Sequence, residues 1–260
     1  MAGAVTSGCA PESAPPVTAD VWLRRFEPRP QARVRLVCLP YGGGSAAFYR
    51  PWARRLPHWI ELVAVQYPGR MERMLEPRID AMAPMADAIA DVVAADVTGP
   101  LALFGHSMGA AIAFEVGIRL ERGGGIDLRR LIVSGRRAPS CYRQTNRHLA
   151  PDDRLIAYLG VLGGVDPEVL ALPHIRPLVL PILRSDFKLS ETWTPPTDAR
   201  LRCPVTAMVG DSDPEASVAT VAPWELATEA EFRLRVHPGG HFYLSAEEPQ
   251  VLAERAGDLG

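Results

Sequence analysis

A serine between two glycines is the part of this sequence whose residue types most clearly indicate chemistry. The sequence Gly-His-Ser-Met-Gly occupies residues 105–109 and contains the pattern G-x-S-x-G. An apolar run, residues 101–104, precedes it, and a run typical of a helix, residues 110–115, follows it. In such a strand, turn and helix, the glycines allow close approach and the serine hydroxyl projects outward. Ser107 is therefore the candidate nucleophile.

A serine nucleophile needs a base to take its proton, and the six histidines of the chain supply the candidates. His106 adjoins Ser107, but neighbours on a tight turn point apart. His241 ends the sequence His-Pro-Gly-Gly-His, residues 237–241, in a loop after the last predicted strand. Such a loop can bring an imidazole to the hydroxyl, so His241 is favoured. His237, at the end of the strand itself, is the alternative.

A carboxylate must then orient the imidazole. The sequence Gly-Asp-Ser-Asp-Pro, residues 210–214, follows the penultimate predicted strand and offers two candidates. Asp213 lies further into the loop and is favoured. Asp211 is the alternative, although its side chain is better placed to cap the turn through its own backbone. The resulting order of serine, aspartate and histidine is that of the α/β-hydrolase class.

Backbone N–H groups can stabilise the oxyanion that forms when a serine attacks a carbonyl. Met108 supplies one such N–H directly after the serine. The sequence Tyr-Gly-Gly-Gly-Ser, residues 41–45, follows the first predicted strand and can supply a second, since glycines let the backbone approach a substrate closely. A phosphate-binding loop is the other interpretation of these glycines. It is disfavoured because no Lys-Ser or Lys-Thr pair follows them.

Strands and helices alternate along the chain, which predicts an α/β fold with a mostly parallel sheet covered by helices on both faces. The predicted strands are residues 34–39, 62–65, 101–104, 131–134, 205–209 and 232–236. The predicted helices are residues 46–56, 82–97 and 107–122, and one near 246–255. Sites in such sheets form at the carboxyl ends of the strands, where the candidate residues all lie.

The alternation is interrupted at about residues 140–197, where the sequence predicts helices over 152–162, 168–172 and 175–191. We expect a helical insertion that is either a lid over an acyl pocket or an ordinary packed subdomain. Within it, Arg184 and Asp186 are expected to pair with each other or with other parts of the fold. Residues 1–20 are expected to be a disordered leader, and residues 21–260 a single domain with this insertion.

Composition excludes several classes of function. The 260 residues are 47% hydrophobic and 22% charged with a net charge of −2, which gives no reason to expect a nucleic-acid partner. The four cysteines form no CxxC pair, so neither a zinc site nor a disulfide framework is expected, which fits a reducing cytoplasm. No signal peptide or apolar run long enough to cross a membrane is found, so a cytoplasmic location is expected. A monomer is also expected.

The chain resembles the type II thioesterases of polyketide and nonribosomal-peptide pathways, which are discrete editing enzymes. The matching segments are LVCLP (36–40), QYPGR (66–70), GHSMG (105–109), SGRRAP (134–139), LRSDF (183–187), GDSDP (210–214) and GGHFYL (239–244). The resemblance implies an α/β-hydrolase fold, a catalytic triad of Ser107, Asp213 and His241, and oxyanion donors at Gly42 and Met108. The family usually has His-Ala where this chain has Tyr41 and Gly42, so the acyl preference does not follow from the resemblance.

The resemblance also implies a reaction and a partner. An acyl group is removed from the phosphopantetheine arm of an acyl or peptidyl carrier protein, through an acyl-enzyme that water hydrolyses, and no metal or other cofactor is needed. Arg136 and Arg137 could meet the phosphate of that arm or an acidic carrier surface, or could form structural ion pairs. A general carboxylesterase acting on small-molecule esters is the alternative function, because it would use the same triad.

Overall fold

The computed structural model describes residues 19–164, 168, 170, 172, 174–196 and 198–246. The predicted leader lies outside the described residues as far as residue 18, whereas Ala19 and Asp20 begin a short helix. Most of the helix predicted near 246–255, and part of the one over 168–172, also lie outside them. No helix in the described part of the chain is both long and apolar enough to cross a bilayer.

Seven strands form the central sheet. They are β1 (Leu23–Arg24), β2 (Val34–Leu39), β3 (Ile60–Val65), β4 (Leu101–His106), β5 (Leu128–Ser134), β6 (Val205–Gly210) and β7 (Phe232–His237). Their order across the sheet is β1-β3-β2-β4-β5-β6-β7. Only β1 is antiparallel to its neighbour, and every other pair is parallel. The predicted mostly parallel sheet is therefore confirmed.

The described residues form helices that cover the two faces of this sheet, together with those of the insertion between β5 and β6. They are α1 (Ala19–Trp22), α2 (Arg50–Arg55), α3 (Met82–Asp96), α4 (Met108–Gly123), α5 (Asp152–Leu162), α6 (Arg176–Glu191), α7 (Val218–Val221) and α8 (Tyr243–Ala246). The helix predicted over 46–56 divides into a 3-10 turn, Ala46–Tyr49, and α2, whose first turn contains Pro51.

Strand β2 shows how the core forms on both sides of the sheet. Successive side chains of a strand point to opposite faces. Val37 and Leu39 accordingly join the cluster that includes residues of α3 and α4, whereas Leu36 and Cys38 join the cluster that includes residues of α2. All four side chains are fully buried, which explains why the strand is almost continuously apolar.

The chain between β5 and β6 contains α5 and α6, with a small apolar cluster of its own. Leu155 and Leu159 of α5 pack with Leu180 and Leu183 of α6 in this cluster. Helix α6 continues through Pro181, so this proline does not end the helix. The helices predicted over 152–162 and 175–191 are thus present, and both contribute residues to the cavity described below.

The register of the strands sets the carboxyl edge of the sheet. Leu39 of β2 pairs with Gly105 of β4, and His106 of β4 pairs with Ser134 of β5. Gly210 of β6 pairs in the same way with the last residue of β7. The segments that follow these strands therefore begin at the same level, and every candidate site residue lies in one of these loops or, for Met108, in the first turn of the helix that follows β4.

Candidate active site

Ser107 lies on a sharp turn between β4 and α4. Its φ of 53° and ψ of −115° place a non-glycine residue in a region that side chains rarely adopt. Its backbone N–H donates to the Ser134 carbonyl at 2.8 Å. A Cβ on Gly105 would lie 2.1 Å from the Gly109 carbonyl oxygen, and one on Gly109 would lie 2.2 Å from that of Leu39. Both flanking positions therefore require glycine, as the strand and helix contact each other through their backbones.

The amino end of α4 provides the electrostatic setting of this serine. Met108 is the first residue of the 16-residue helix, so its N–H has no acceptor one turn earlier within the helix. The aligned peptide dipoles also place partial positive charge at this end. Negative charge that develops on an atom bound at Ser107 is therefore favoured there.

His241 and Asp213 form a buried hydrogen-bonded pair. His241 Nδ1 lies 2.9 Å from Asp213 Oδ2 and 3.0 Å from Oδ1. Since a carboxylate only accepts hydrogen bonds, Nδ1 carries the hydrogen and Nε2 is left as the basic atom. Asp213 Oδ1 also accepts the backbone N–H groups of Glu215 at 2.8 Å and Ala216 at 3.2 Å, which fix the carboxylate.

The alternative residues have other partners. Asp211 Oδ1 accepts the Gly239 N–H at 3.0 Å, so this side chain ties together the loops after β6 and β7. His237 is buried and stacks on the Tyr243 ring at 4.9 Å between centroids. His106 is fully buried, and its Nδ1 lies 3.0 Å from Ser134 Oγ. The structure thus pairs His241 with Asp213 rather than with Asp211.

The glycine loop after β2 directs its amide groups in different directions. The Gly43 N–H donates to Asp186 Oδ2 at 2.7 Å, and the Gly44 N–H donates to the Tyr41 carbonyl at 2.9 Å. Gly42 is the loop glycine that lines the cavity beside Ser107. The Tyr41 ring packs on the ring of Phe242 at 4.8 Å between centroids, and its burial raises the pKa of its hydroxyl.

A cavity of about 400 Å³ joins these loops. Ser107, Met108, Gly42 and His241 all line it, whereas the side chain of Asp213 is fully buried behind the imidazole. Residues of α5 and α6 form part of its wall, namely Tyr158, Leu159, Leu162, Asp186, Phe187, Ser190 and Glu191. The arrangement can bind an acyl group beside a hydroxyl, a basic nitrogen and backbone donors, which is the set of groups that acyl transfer needs.

Comparison with known proteins shows the family to which this chain belongs. The thioesterase domain family matches residues 34–258. Thioesterase PikA5 of Streptomyces venezuelae is 43% identical over 239 residues, which cover 90% of this chain and 84% of that protein. The probable cadicidin biosynthesis thioesterase of Streptomyces griseus is 42% identical, over 92% of this chain and 66% of that protein.

The chain belongs to the thioesterase family. The type II thioesterase BorB from the borrelidin biosynthetic cluster has a similar structure, with a TM-score of 0.86 and 40% identity over 93% of this chain and 98% of that one. The RedJ thioesterase from the prodiginine pathway of Streptomyces coelicolor gives a TM-score of 0.82 and 36% identity, over 98% and 92%. The resemblance to type II thioesterases and the predicted α/β-hydrolase fold are therefore confirmed.

Arg70 and Asp186 form a buried ion pair in this thioesterase that the sequence did not reveal. The guanidinium donates to both carboxylate oxygens, at 2.7 and 2.6 Å, and both side chains are buried. Arg184 instead pairs with Asp152 of α5. Of the two expected arrangements, pairing with other parts of the fold is therefore the one found, and the partner of Asp186 comes from the loop after β3. The two residues are 116 positions apart, so no local pattern could have indicated the pair.

Within the described part of the chain, the two arginines after β5, Arg136 and Arg137, do not form the ion pairs that were one of their two expected roles. Arg136 lines the cavity, donates to Ser190 Oγ at 2.8 Å and lies over the Trp193 ring. Its burial lowers the pKa of the guanidinium. Arg137 donates to the backbone carbonyl of Glu215 at 2.6 Å. Neither guanidinium pairs with a carboxylate of the described residues, so the predicted structural ion pairs are not found there.

Proposed function

We propose that this thioesterase hydrolyses acyl thioesters on the phosphopantetheine arm of carrier proteins, as an editing enzyme of a polyketide or nonribosomal-peptide synthase in the cytoplasm. The observation that carries the proposal is the cavity that both Ser107 and His241 line, with His241 held by Asp213. The membership in the thioesterase family and the similarity to BorB, a type II thioesterase of a biosynthetic cluster, support the choice of substrate.

In the first step, Ser107 Oγ attacks the thioester carbonyl carbon while His241 Nε2 takes the hydroxyl proton. Asp213 keeps the imidazole in the tautomer that leaves Nε2 basic and stabilises the imidazolium that forms. The carbonyl oxygen becomes an oxyanion, which the N–H groups of Gly42 and Met108 stabilise, each contributing on the order of 3 kcal/mol.

The tetrahedral intermediate then collapses, and the bond from carbon to sulfur breaks. The thiol of the arm is a good leaving group because its pKa is about 8.5, and it receives the proton held by His241. Water next attacks the acyl group on Ser107 with His241 again acting as base. The products are a free carboxylic acid and a carrier protein whose arm can be loaded again.

We propose that α5 and α6 act as the lid of this site. These helices supply part of the cavity wall, and their apolar cluster is separate from the two clusters that flank the sheet. A lid excludes water while the acyl group is being transferred, which protects the first intermediate and strengthens the electrostatic interactions around it.

The test is intact-protein mass spectrometry of an acetyl- or propionyl-loaded carrier protein after incubation with the wild type or with Ser107→Ala. We expect the acyl mass to be lost with the wild type alone, leaving the free phosphopantetheine arm. The same circular dichroism spectrum and melting temperature for both proteins would show that the variant is folded. Turnover by Ser107→Ala would overturn the assignment of the nucleophile.

A carrier protein that keeps its acyl group, together with rapid cleavage of a simple aryl ester, would lead to a different conclusion about the substrate. The serine hydrolase chemistry would then stand, but the substrate would be a small-molecule ester. The general carboxylesterase is thus separated from the carrier-directed thioesterase by the same pair of proteins.

A further inference from the structure

The glycine loop is held from two sides by one buried ion pair. Asp186 Oδ2 accepts the Gly43 N–H at 2.7 Å, and Arg70 Nη1 donates to the Gly44 carbonyl at 3.0 Å. The same Nη1 donates to Asp186 Oδ2 at 2.7 Å, while Nη2 donates to Oδ1 at 2.6 Å. The pair therefore contacts both an N–H and a C=O of the loop directly beside Gly42.

The three segments that meet here come from different parts of the fold. Arg70 follows β3, the glycine loop follows β2, and Asp186 belongs to α6 of the insertion. Tyr67 adds a second contact from the loop after β3, since its hydroxyl donates to the Pro40 carbonyl at 3.0 Å. The loop that carries the proposed oxyanion donor is thus connected directly to the helical insertion.

Packing makes the position of α6 and the shape of the loop depend on each other. Gly43 has a φ of +80°, and a Cβ placed on it would lie 2.6 Å from Leu183 Cδ2 of α6. A displacement of α6 would therefore remove both the carboxylate that accepts the Gly43 N–H and the side chain that packs on the Gly43 backbone.

The burial of this pair points to orientation rather than stability as its role. The side chains of Arg70 and Asp186 are 4% and 0% exposed. Removing two charges from water costs about as much as their attraction returns, so a buried pair contributes little net stability. A two-point contact between a planar guanidinium and a carboxylate does, however, fix direction as well as distance.

We propose that Arg70 and Asp186 are positioning residues that hold the Gly42 N–H in its oxyanion-binding orientation only while α6 is seated on the glycine loop. This inference rests on the proposed function, because Gly42 is an oxyanion donor only if Ser107 is the nucleophile. The ion pair then links closure of the insertion to completion of the site, so an open enzyme is poorly able to form the acyl-enzyme.

The variant Asp186→Asn tests this link, because it keeps the shape of the side chain but replaces one acceptor oxygen by an NH2 donor, so the two-point contact with the Arg70 guanidinium is lost. The matched control is Asp152→Asn, which breaks the exposed pair between Arg184 of α6 and Asp152 of α5 in the same insertion. Hydrolysis of p-nitrophenyl acetate gives kcat and KM for each protein. Inhibition by an alkylboronic acid gives Ki for an adduct whose boronate oxygen occupies the oxyanion site.

We expect Asp186→Asn to lower kcat by about tenfold or more with KM changed by less than about twofold, because an oxyanion donor acts mainly in the transition state. The Ki for the boronic acid should rise by a similar factor, whereas Asp152→Asn should match the wild type in both measurements. An unchanged Ki for Asp186→Asn, or an equal loss in Asp152→Asn, would overturn the inference.

Asp186→Asn leaves Arg70 buried without its counter-ion, so its melting temperature must be measured as well. If it does not fold, the double variant Arg70→Gln with Asp186→Asn replaces it, since two amides can hydrogen bond without a buried charge. The same fall in kcat and rise in Ki is expected. Failure of the boronic acid to bind even the wild type would overturn the serine mechanism itself, whereas equal binding to wild type and variant overturns only the positioning role.

Discussion

Asp213 and His241 are held 2.9 Å apart, between Oδ2 and Nδ1, in the interior of the protein at the ends of neighbouring loops. The carboxylate also accepts two backbone N–H groups from its own loop. Asp211, only two residues earlier, is used for a different purpose, because it accepts the Gly239 N–H and so joins the two loops. The two aspartates therefore provide a matched comparison between the proposed catalytic role of Asp213 and the loop-joining contact of Asp211.

We expect Asp213→Asn to lower kcat by about 10⁴-fold, since an amide in this position favours the wrong imidazole tautomer. Asp211→Asn is isosteric as well, and its amide oxygen can still accept the Gly239 N–H, so kcat should stay within about threefold of the wild type. Steady-state hydrolysis of an acyl thioester measures both. A greater loss in Asp211→Asn than in Asp213→Asn would exchange their assigned roles.

Gly109→Ala should destabilise the fold strongly. The added Cβ would lie 2.2 Å from the Leu39 carbonyl oxygen, and backbone on both sides leaves no flexible side chain to move away. We expect a loss of about 3 kcal/mol or more in the free energy of unfolding. Gly123→Ala, at the end of the same helix, has open space around it and should be neutral or stabilising by up to about 1 kcal/mol.

Urea denaturation followed by circular dichroism compares these two glycine variants. The control separates the effect of space from the general effect of replacing glycine in α4. Equal stability of Gly109→Ala and the wild type would contradict the close approach of strand and helix around Ser107.

Glu191 should make the protein sensitive to acid. Burial raises the pKa of its carboxyl, but hydrogen bonds from the Thr145 hydroxyl, the His148 N–H and ring, and the Arg147 N–H outweigh that effect and hold the pKa below its ordinary 4.5. A lowered pKa in the folded state means that the unfolded state binds more protons. The stabilisation is therefore present above pH 4.5 and is lost as the pH falls below it.

The variant Glu191→Gln tests this pH dependence. It should be less stable than the wild type at pH 7, and the difference in the free energy of unfolding should become smaller as the pH falls from 5 to 3. Denaturation curves at each pH measure it. A difference that stays constant over this range would show that the carboxyl does not titrate as described.

The cysteines should differ in their reaction with iodoacetamide. Burial and the nearby Glu121 raise the pKa of the Cys203 thiol to about 12, so almost no thiolate is present at pH 8. Cys141 is only half-buried. In a Cys9→Ser background, peptide mass spectrometry at pH 8 should find Cys141 modified and Cys203 protected. Both should react in urea, and rapid modification of Cys203 in the folded protein would contradict its burial.

The parallel strands could be predicted because each is a short apolar run that is buried on both faces. Residues 34–39 were predicted as a strand with the bounds that β2 has in the structure. Strand β1 was not predicted, since two residues, Leu23 and Arg24, are too few to show a period. Its place beside β3 depends on tertiary contacts such as the Gln66 N–H to the Trp22 carbonyl at 2.7 Å.

Most candidate site residues could be predicted from the sequence because they belong to short motifs that directly follow predicted strands. The local sequence could not exclude Asp211 as the carboxylate that orients the histidine, because Asp211 and Asp213 follow the same strand. Only the fold shows which of the two faces His241. The Arg70 and Asp186 pair was beyond sequence reasoning, since its members lie in separate segments that contact each other only after the insertion packs on the glycine loop.

The backbone of Ser107 has a consequence for the evolution and engineering of this enzyme. A residue with a side chain in this conformation costs about 1–3 kcal/mol, whereas glycine adopts it with little strain. Selection for stability alone would therefore favour glycine at position 107, so the hydroxyl that we propose as the nucleophile costs the fold some of its stability. We expect a screen for heat-resistant variants without a screen for turnover to enrich Ser107→Gly. With Ser107 as the proposed nucleophile, stability and activity would be in direct conflict at this one residue.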